Sequence, residues 1–256
     1  MPTRESSSRP VVLVTGAARG IGRAIAEQLA RRGCRLALHC RTNAALAGQL
    51  AADLPGGGHR TFTADLASAA EVERLWREVT AAMGPVAVLV NNAAIYEAHP
   101  LWATGYEEWQ EAWRRTLDTN LLGPAHLCYF AGNAMAAAGG GRVVSISSRG
   151  AFRGEPETPA YAASKAGLNA LSQSLALAMA PRGVYFFVIA PGWVETDMAA
   201  ANLAGPDGPA ILAQHPLGRV AQPEEVAAAT VFCVLDAPAA MTGCVLDVNG
   251  ASYLRT

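Results

Sequence analysis

Tyr161 and Lys165 are four positions apart in the segment Tyr161-Ala162-Ala163-Ser164-Lys165. Residues with this spacing share one face of a helix, so a phenol and an ammonium group are expected side by side. A nearby cation favours the phenolate and lowers the pKa of a tyrosine from its usual value of about 10. We therefore expect Tyr161 to serve as a general acid/base whose pKa Lys165 lowers. An exposed Tyr–Lys pair is the alternative, because this pattern is weak on its own.

Other polar side chains follow predicted β-strands. Ser148 ends the run Ser145-Ile146-Ser147-Ser148, and Asn92 follows another apolar run in Asn91-Asn92-Ala93-Ala94. Ligands of parallel α/β sheets bind at the carboxyl edge of the strands, so we expect both side chains near one site. Asn120 lies in the long helical segment that comes next.

A glycine-rich turn, Thr15-Gly16-Ala17-Ala18-Arg19-Gly20-Ile21-Gly22, follows the first predicted strand and opens the first helix. Glycines in such a turn let the backbone approach a pyrophosphate, whose charge the helix N-terminus stabilises. A purely structural turn is the alternative for the pattern alone. Its position after the first strand of an alternating α/β chain favours a dinucleotide site.

The end of the second strand bears on which dinucleotide binds. NAD sites usually have Asp or Glu about 20 residues after the glycines, where it binds the ribose 2′-hydroxyl. This strand ends Leu38-His39-Cys40-Arg41-Thr42, without a carboxylate. Arg41, together with Arg19 in the glycine turn, is suited to a 2′-phosphate, so we expect NADP(H) rather than NAD(H). Two solvated surface arginines are the alternative. Asp65, after the third strand, is a candidate for the adenine edge.

The elements that position these residues alternate along the chain. Strands that are apolar on both faces and separated by helices predict an α/β fold with a single Rossmann-type, doubly wound parallel sheet of about seven strands and helices on both faces. The predicted strands are 11–15, 36–40, 60–63, 86–91, 143–147, 184–189 and 245–248, and the predicted helices are 21–32, 43–54, 69–83, 106–138, 160–180 and 224–235.

Two segments differ in composition from the rest of the chain. Residues 1–10 are polar and Ser-rich, which predicts a disordered lead-in before a single domain over 11–256. The Gly/Pro-rich stretch 192–216 predicts a mobile loop with short helices at the substrate site, and not a domain boundary.

The composition argues against several classes of partner. The 256 residues carry a net charge of −1, and no run reaches the roughly 18 apolar residues of a membrane helix, so neither nucleic acid nor membrane is expected. Five cysteines without a CxxC pair favour reduced thiols in the cytoplasm, and the histidine spacing predicts no metal site. Among the 20 lysine and arginine residues, only Lys165 is a lysine.

Together these motifs resemble the short-chain dehydrogenase/reductase family over nearly the whole chain, with an overall pattern most similar to the 3-oxoacyl-[acyl-carrier-protein] reductases. The resemblance implies that Tyr161 is the proton donor and acceptor and that Lys165 lowers its pKa and holds the nicotinamide ribose. It also implies that Ser148 polarises the substrate carbonyl and that Asn120 supports a water relay. The implied cofactor-binding residues are Gly16, Arg19, Gly20, Ile21, Gly22, Arg41, Asp65, Leu66, Asn92, Ala93, Tyr161, Lys165, Pro191, Gly192, Val194 and Thr196.

The activity implied by the resemblance is NADPH-dependent reduction of a small ketone, of 3-oxoacyl or related type, to a secondary alcohol. A polyol, sugar or steroid dehydrogenase that works oxidatively with NAD is the alternative among enzymes. A cofactor-binding regulator is the alternative among non-enzymes, although the presence of all four implied catalytic side chains argues against it.

The substrate is expected to be a free small molecule. In the related reductases, an acidic carrier docks on basic residues near two helix ends, but the corresponding segments 134–139 and 172–178 carry no charge here. Docking of an acyl carrier protein is therefore doubtful, unless Arg142, Arg149 and Arg153 replace those residues.

Three aromatic side chains flank the predicted catalytic strands and suit an apolar substrate pocket: Tyr96, Phe152 and Trp193. Ordinary core or lid packing is the alternative for each. The apolar faces of the fourth and fifth helices favour a homotetramer or homodimer. The chain also departs from the family after Gly183, where Tyr185-Phe186-Phe187 replaces the common Arg-Val-Asn.

Overall fold

Seven strands form one sheet, and all neighbouring pairs in it are parallel. The computed structural model describes residues 9–255. The strands are β1 Val11–Val14, β2 Arg35–Cys40, β3 Arg60–Thr63, β4 Val86–Asn91, β5 Gly141–Ile146, β6 Val184–Pro191 and β7 Val245–Val248. Their order across the sheet is β3-β2-β1-β4-β5-β6-β7, so the winding reverses between β1 and β4. The predicted doubly wound fold is confirmed.

Helices connect the strands and cover both faces of the sheet. They are α1 Gly20–Arg31, α2 Ala44–Asp53, α3 Ala69–Met83, α4 Tyr106–Leu117, α5 Gly123–Ala137, α6 Gly150–Arg153, α7 Pro159–Met179, α8 Asp197–Ala204, α9 Gly208–Ala213 and α10 Pro223–Val231. A π-helical turn, Asp118–Leu122, joins α4 to α5. Among the described residues, no helix is long and apolar enough to span a membrane.

The sheet separates two hydrophobic cores. Residues of α1 and α10 pack on one face, and residues of α3 and α5 pack on the other. Successive residues of a strand point to opposite faces, which explains the consecutive phenylalanines of β6. Phe187 fills the first core and Phe186 the second, and both are almost fully buried. The aromatic bulk after Gly183 therefore packs the middle of the molecule and lies away from its surface.

The structure differs from the sequence-based prediction inside two helices. The predicted helix 224–235 ends in a π-helical turn, Phe232–Asp236. The predicted single helix 106–138 contains the π-turn Asp118–Leu122. Pro124 explains its position, because proline has no N–H to donate to the carbonyl of Asn120 four residues earlier. The stretch 192–216 contains α8 and α9, in agreement with the predicted short helices.

Most of the predicted lead-in 1–10 lies outside the described residues, since residues 1–8 are not described. Its last two residues are attached to the domain. The guanidinium of Arg9 donates hydrogen bonds to the carbonyls of Gly56 and Gly57, and the Pro10 carbonyl accepts a hydrogen bond from the Arg35 amide. Arg9 and Pro10 therefore contact the segment 56–57 and β2.

We expect Phe186→Ala and Phe187→Ala each to lower the free energy of unfolding by about 3–5 kcal/mol, because each leaves a cavity in one core. Urea unfolding followed by circular dichroism measures the change. Phe232→Ala is the matched control, since that ring is 39% exposed and its removal should have a much smaller effect. Equal losses for all three variants would contradict the two-core description.

Candidate active site

A cavity of about 320 Å³ opens at the carboxyl edge of the sheet, above the ends of the first six strands, β1 to β6. It brings together all the predicted cofactor-binding residues, the predicted catalytic Ser148, Tyr161 and Lys165, and two of the three predicted aromatic residues. Among the predicted site residues, only Asn120 and Phe152 do not line it.

The glycine turn at one end of the cavity fits a dinucleotide pyrophosphate. Gly16 and Gly20 have φ angles of +64° and +53°, which other residues rarely adopt. A Cβ atom at Gly22 would lie 2.2 Å from the carbonyl oxygen of Gly16, so only glycine fits this crossing. Within the described chain, no side chain caps α1, which leaves the first N–H groups of the helix for an anion.

Hydrogen bonds of Thr15 and Asn92 connect the glycine turn to the end of β4. The Thr15 hydroxyl accepts hydrogen bonds from the amides of Asn92 and Ala93 at 2.9 and 3.0 Å. The Asn92 side chain donates in turn to the Thr15 carbonyl at 2.8 Å and to the Gly16 carbonyl at 3.2 Å. The turn and the segment after β4 are therefore one rigid wall.

His39 makes the corresponding connection to β2 and β3. Its Nδ1 atom accepts a hydrogen bond from the Gly16 amide at 3.3 Å, so the neutral ring donates from Nε2 to the Ala64 carbonyl at 3.0 Å. Burial lowers the pKa of His39, which keeps the ring in this neutral form. The sequence alone assigned His39 no role, because nothing in its pattern marks a buried histidine.

The end of the cavity beside the glycine turn and β2 carries charges of both signs. Arg19 and Arg41 both line it, together with Asp65 at the end of β3. The Arg19 guanidinium lies 3.8 Å from the Asp197 carboxylate, with both side chains mostly exposed, so this pair is weak and leaves Arg19 available to a ligand. The edge of the cavity near Arg41 contains no carboxylate from β2.

Ser148, Tyr161 and Lys165 meet at the opposite end. The Lys165 ammonium donates a 2.8 Å hydrogen bond to the Ile146 carbonyl and lies 5.6 Å from the centre of the Tyr161 ring. Burial lowers the pKa of Lys165 to about 8. Burial also raises the pKa of Tyr161, while a hydrogen bond from Ser148 acts in the opposite direction. Desolvation thus dominates at Tyr161, in the direction opposite to the lowering expected from Lys165.

The comparisons with known proteins agree with this geometry. A family model described as enoyl-(acyl carrier protein) reductase matches residues 16–251. The chain is 39% identical to a D-threitol dehydrogenase of Mycolicibacterium smegmatis, over 96% of this chain and 93% of that protein. The chain belongs to the short-chain dehydrogenase/reductase family.

Two further proteins are similar to this dehydrogenase/reductase over nearly its whole length. A 3-oxoacyl-[acyl-carrier-protein] reductase of Escherichia coli is 38% identical, over 95% of this chain and 97% of that protein. A solved structure from Beutenbergia cavernae, described as a putative NAD(P)-dependent gluconate 5-dehydrogenase with bound NADP at low occupancy, has a TM-score of 0.87. Its sequence is 37% identical to this one, and the match covers 96% of this chain and 98% of that chain. The predicted class, an NAD(P)-dependent oxidoreductase acting on alcohol and carbonyl groups, is confirmed.

Asn120 lies behind the cavity of the dehydrogenase/reductase. Its amide oxygen accepts from the Ile95 amide at 2.9 Å, and its amide nitrogen donates to the Ile95 carbonyl at 3.0 Å and to Ser164 Oγ at 3.3 Å. This fully buried side chain therefore positions the wall after β4 against α7. A water relay would have to use the main-chain carbonyl of Asn120, which Pro124 deprives of its α-helical donor.

The substrate end is less apolar than the sequence predicts. Tyr96 packs edge-on against Tyr161 at 4.9 Å and against Trp193 at 6.3 Å between ring centres. Phe152, by contrast, lies outside the cavity, because its ring packs 4.4 Å from the Arg255 guanidinium. Arg149 and Glu155 occupy the cavity wall that was predicted for Phe152. For Arg149 the only signal in the sequence was its position directly after Ser148, and for Glu155 there was none.

The pKa of Lys165 makes stability depend on pH. Burial lowers this pKa from 10.5 to about 8, so between these values the unfolded chain holds a proton that the folded protein lacks. The free energy of unfolding therefore rises with pH across this window, and the penalty is fully present below pH 8. Relative to Lys165→Met, we expect the wild-type protein to gain roughly 3 kcal/mol between the two pKa values.

Urea unfolding of both proteins at several pH values measures this gain. The comparison with Lys165→Met is needed because buried thiols act in the opposite direction: burial raises the pKa of Cys128 to about 12, and both proteins contain it. A difference in stability that does not change with pH would contradict the buried, easily deprotonated lysine.

Proposed function

We propose that the protein reduces a small ketone to a secondary alcohol with NADPH. The convergence of Ser148, Tyr161 and Lys165 in one cavity with the glycine turn is the observation that carries this proposal. A proton donor and a dinucleotide site at two ends of the same cavity are what carbonyl reduction requires.

The side chains have distinct roles in the proposed reaction. NADPH supplies a hydride to the carbonyl carbon when it is bound. The Ser148 hydroxyl donates a hydrogen bond to the carbonyl oxygen, and the Tyr161 phenol transfers its proton to that oxygen as the C–O double bond becomes single. Lys165, with its pKa near 8, holds a proton close to Tyr161 at ordinary working pH. Asn120 keeps the Ile95 segment, and so one wall of the site, in place.

A free substrate is supported by the surroundings of the basic residues that an acyl carrier protein would need. Arg142 donates a 2.8 Å hydrogen bond to the Cys233 carbonyl and packs over the Phe187 ring, which removes it from docking. Arg149 is only 3% exposed. Of the three arginines considered, Arg153 alone is exposed. One exposed arginine offers little attraction to an acidic carrier.

Oxidation of a polyol or sugar alcohol is the second candidate. It is favoured by the relatives that are described as a D-threitol dehydrogenase and a putative gluconate 5-dehydrogenase. The same residues serve both directions, because Tyr161 accepts in oxidation the proton that it donates in reduction. Initial rates for a panel of ketones with NADPH, and of secondary alcohols with NADP⁺ and NAD⁺, would decide between the two.

We also propose that the protein is a cytoplasmic homotetramer or homodimer. Exposed apolar side chains on α7 and at and after the π-turn support association: Leu177 is 83% exposed, Tyr129 68% and Leu122 46%. The five cysteines are free thiols, which supports a reducing compartment. Sedimentation of a monomer at micromolar concentration would contradict the assembly, and export of the tagged protein from the cell would contradict the compartment.

Tyr161→Phe is expected to lower kcat by about 10²–10⁴-fold, the usual contribution of a general acid. Binding of NADPH should persist, since the phenyl ring keeps the shape of the site. Ketone reduction followed by loss of NADPH absorbance measures the first, and NADPH fluorescence titration the second. Tyr106→Phe is the matched control, because that phenol is 76% exposed. Full activity of Tyr161→Phe would contradict the proposed role.

Arg41→Ala is expected to weaken NADPH binding by about 10–100-fold, because charge-assisted hydrogen bonds to the 2′-phosphate are lost. Its effect on NADH should be small. Fluorescence titration with both cofactors measures the two dissociation constants, and Arg182→Ala, an exposed arginine at the opposite edge of the sheet, is the control. A wild-type preference for NADH would refute the NADP(H) proposal.

A further inference from the structure

Arg149 is a buried guanidinium beside the proposed catalytic serine. It follows Ser148 directly in the chain, lines the cavity and is 3% exposed. Its amide donates a 2.8 Å hydrogen bond to the Pro191 carbonyl, which fixes its backbone between β5 and β6. Only rarely is an arginine buried to this degree without a partner for its charge.

The guanidinium of Arg149 has an incomplete set of partners. Its Nη2 atom donates a 2.9 Å hydrogen bond to the neutral side chain of Gln214, while Nη1 is buried without an acceptor. Within residues 9–255, the ion pairs closer than 4.0 Å include none to Arg149. A buried cation with a free donor is destabilising unless a ligand completes it.

The neighbours of Arg149 belong to the substrate end of the cavity. Tyr96 and Glu155 line the cavity together with Arg149. Burial raises the pKa of both the Tyr96 phenol and the Glu155 carboxyl, and the charge of Arg149 acts in the opposite direction on both. Glu155 packs against the backbone of Gly150, and burial raises the pKa of its carboxyl. Glu155 is an acidic neighbour of Arg149, but among the described residues it makes no ion pair within 4.0 Å with that guanidinium.

The nucleotide phosphates do not account for Arg149. The glycine turn, Arg19 and Arg41 form the other end of the cavity, whereas Arg149 adjoins Ser148 at the end of β5. The group that meets Arg149 is therefore part of the substrate. A carboxylate matches the planar fork of a guanidinium and neutralises its charge, and a neutral thioester does neither.

We propose that Arg149 is a specificity-determining residue that binds a carboxylate group of the substrate, so that the preferred ketones are small oxo acids. This proposal rests on the proposed carbonyl reductase activity and names its substrate class. Arg153 supplies a matched control: it donates a 3.0 Å hydrogen bond to the same oxygen of Gln214, but it is exposed and does not line the cavity.

The test compares oxo acids with their uncharged methyl esters. The probes are acetoacetate, levulinate and 5-oxohexanoate, each with its ester, reduced with NADPH. For at least one pair, we expect kcat/KM to favour the acid by roughly 10–100-fold, the range of a hydrogen bond to a charged group. Arg149→Met should bring the ratio close to one, mainly through KM, and Arg149→Lys should restore part of it. Arg153→Met should keep the wild-type ratio.

The outcomes separate this proposal from the one on which it rests. If the esters are reduced as well as the acids in every pair, or if Arg149→Met keeps the preference, the carboxylate site is refuted and the reductase activity stands. If no probe is reduced, the proposed activity fails for this class of substrate. Calorimetric titration of levulinate into the NADPH complex then tests whether the carboxylate site exists without any turnover. Binding that Arg149→Met abolishes and Arg153→Met retains supports the site, and no binding refutes it.

Discussion

The structure of the active site depends on how the buried ammonium group of Lys165 is stabilised. A buried charge is several kcal/mol less stable than a hydrated one, and here a single main-chain carbonyl, that of Ile146, compensates it directly. This contact exists only while α7 is held against β5. Buried serines hold it there: Ser147 donates to the Lys165 carbonyl at 3.3 Å, and Ser172 donates to Ser145 at 3.3 Å. These hydrogen bonds between α7 and β5 therefore keep the Lys165 ammonium next to the Ile146 carbonyl.

The parallel sheet brings the remaining groups to the same place. Every strand ends at one edge, so segments far apart in the sequence become neighbours without long loops. Side-chain hydrogen bonds then make this edge rigid, from His39 and Thr15 on the nucleotide side to Asn120 behind the substrate side. The segment between β6 and α8 completes the cavity wall. A site built in this way can hold a large cofactor and leave the substrate to a few side chains.

The sequence was informative where local chemistry and spacing determine the outcome. The glycine turn, the Tyr161/Lys165 spacing and the alternation of strands and helices predicted the fold and both ends of the cavity. It was uninformative where burial depends on tertiary contacts. Nothing local distinguishes Arg149, which is buried, from Arg153, which is exposed, although both were considered as surface charges. Phe152 was misplaced for the same reason, since its partner Arg255 is far along the chain.

The turn Asp118–Leu122 has a different kind of consequence. A π-turn is geometrically an α-helix with one residue inserted, and each residue of an α-helix adds a rotation of about 100°. A helical wheel drawn without interruption over 106–138 is therefore out of phase after the turn. Conversely, this is the place in the long helix where one residue can be deleted while α4 and α5 keep their buried faces. Such a deletion would remove the π-turn, although Pro124 would still leave one carbonyl without an α-helical donor, and with the turn would go the irregular backbone that positions Asn120 behind the cavity.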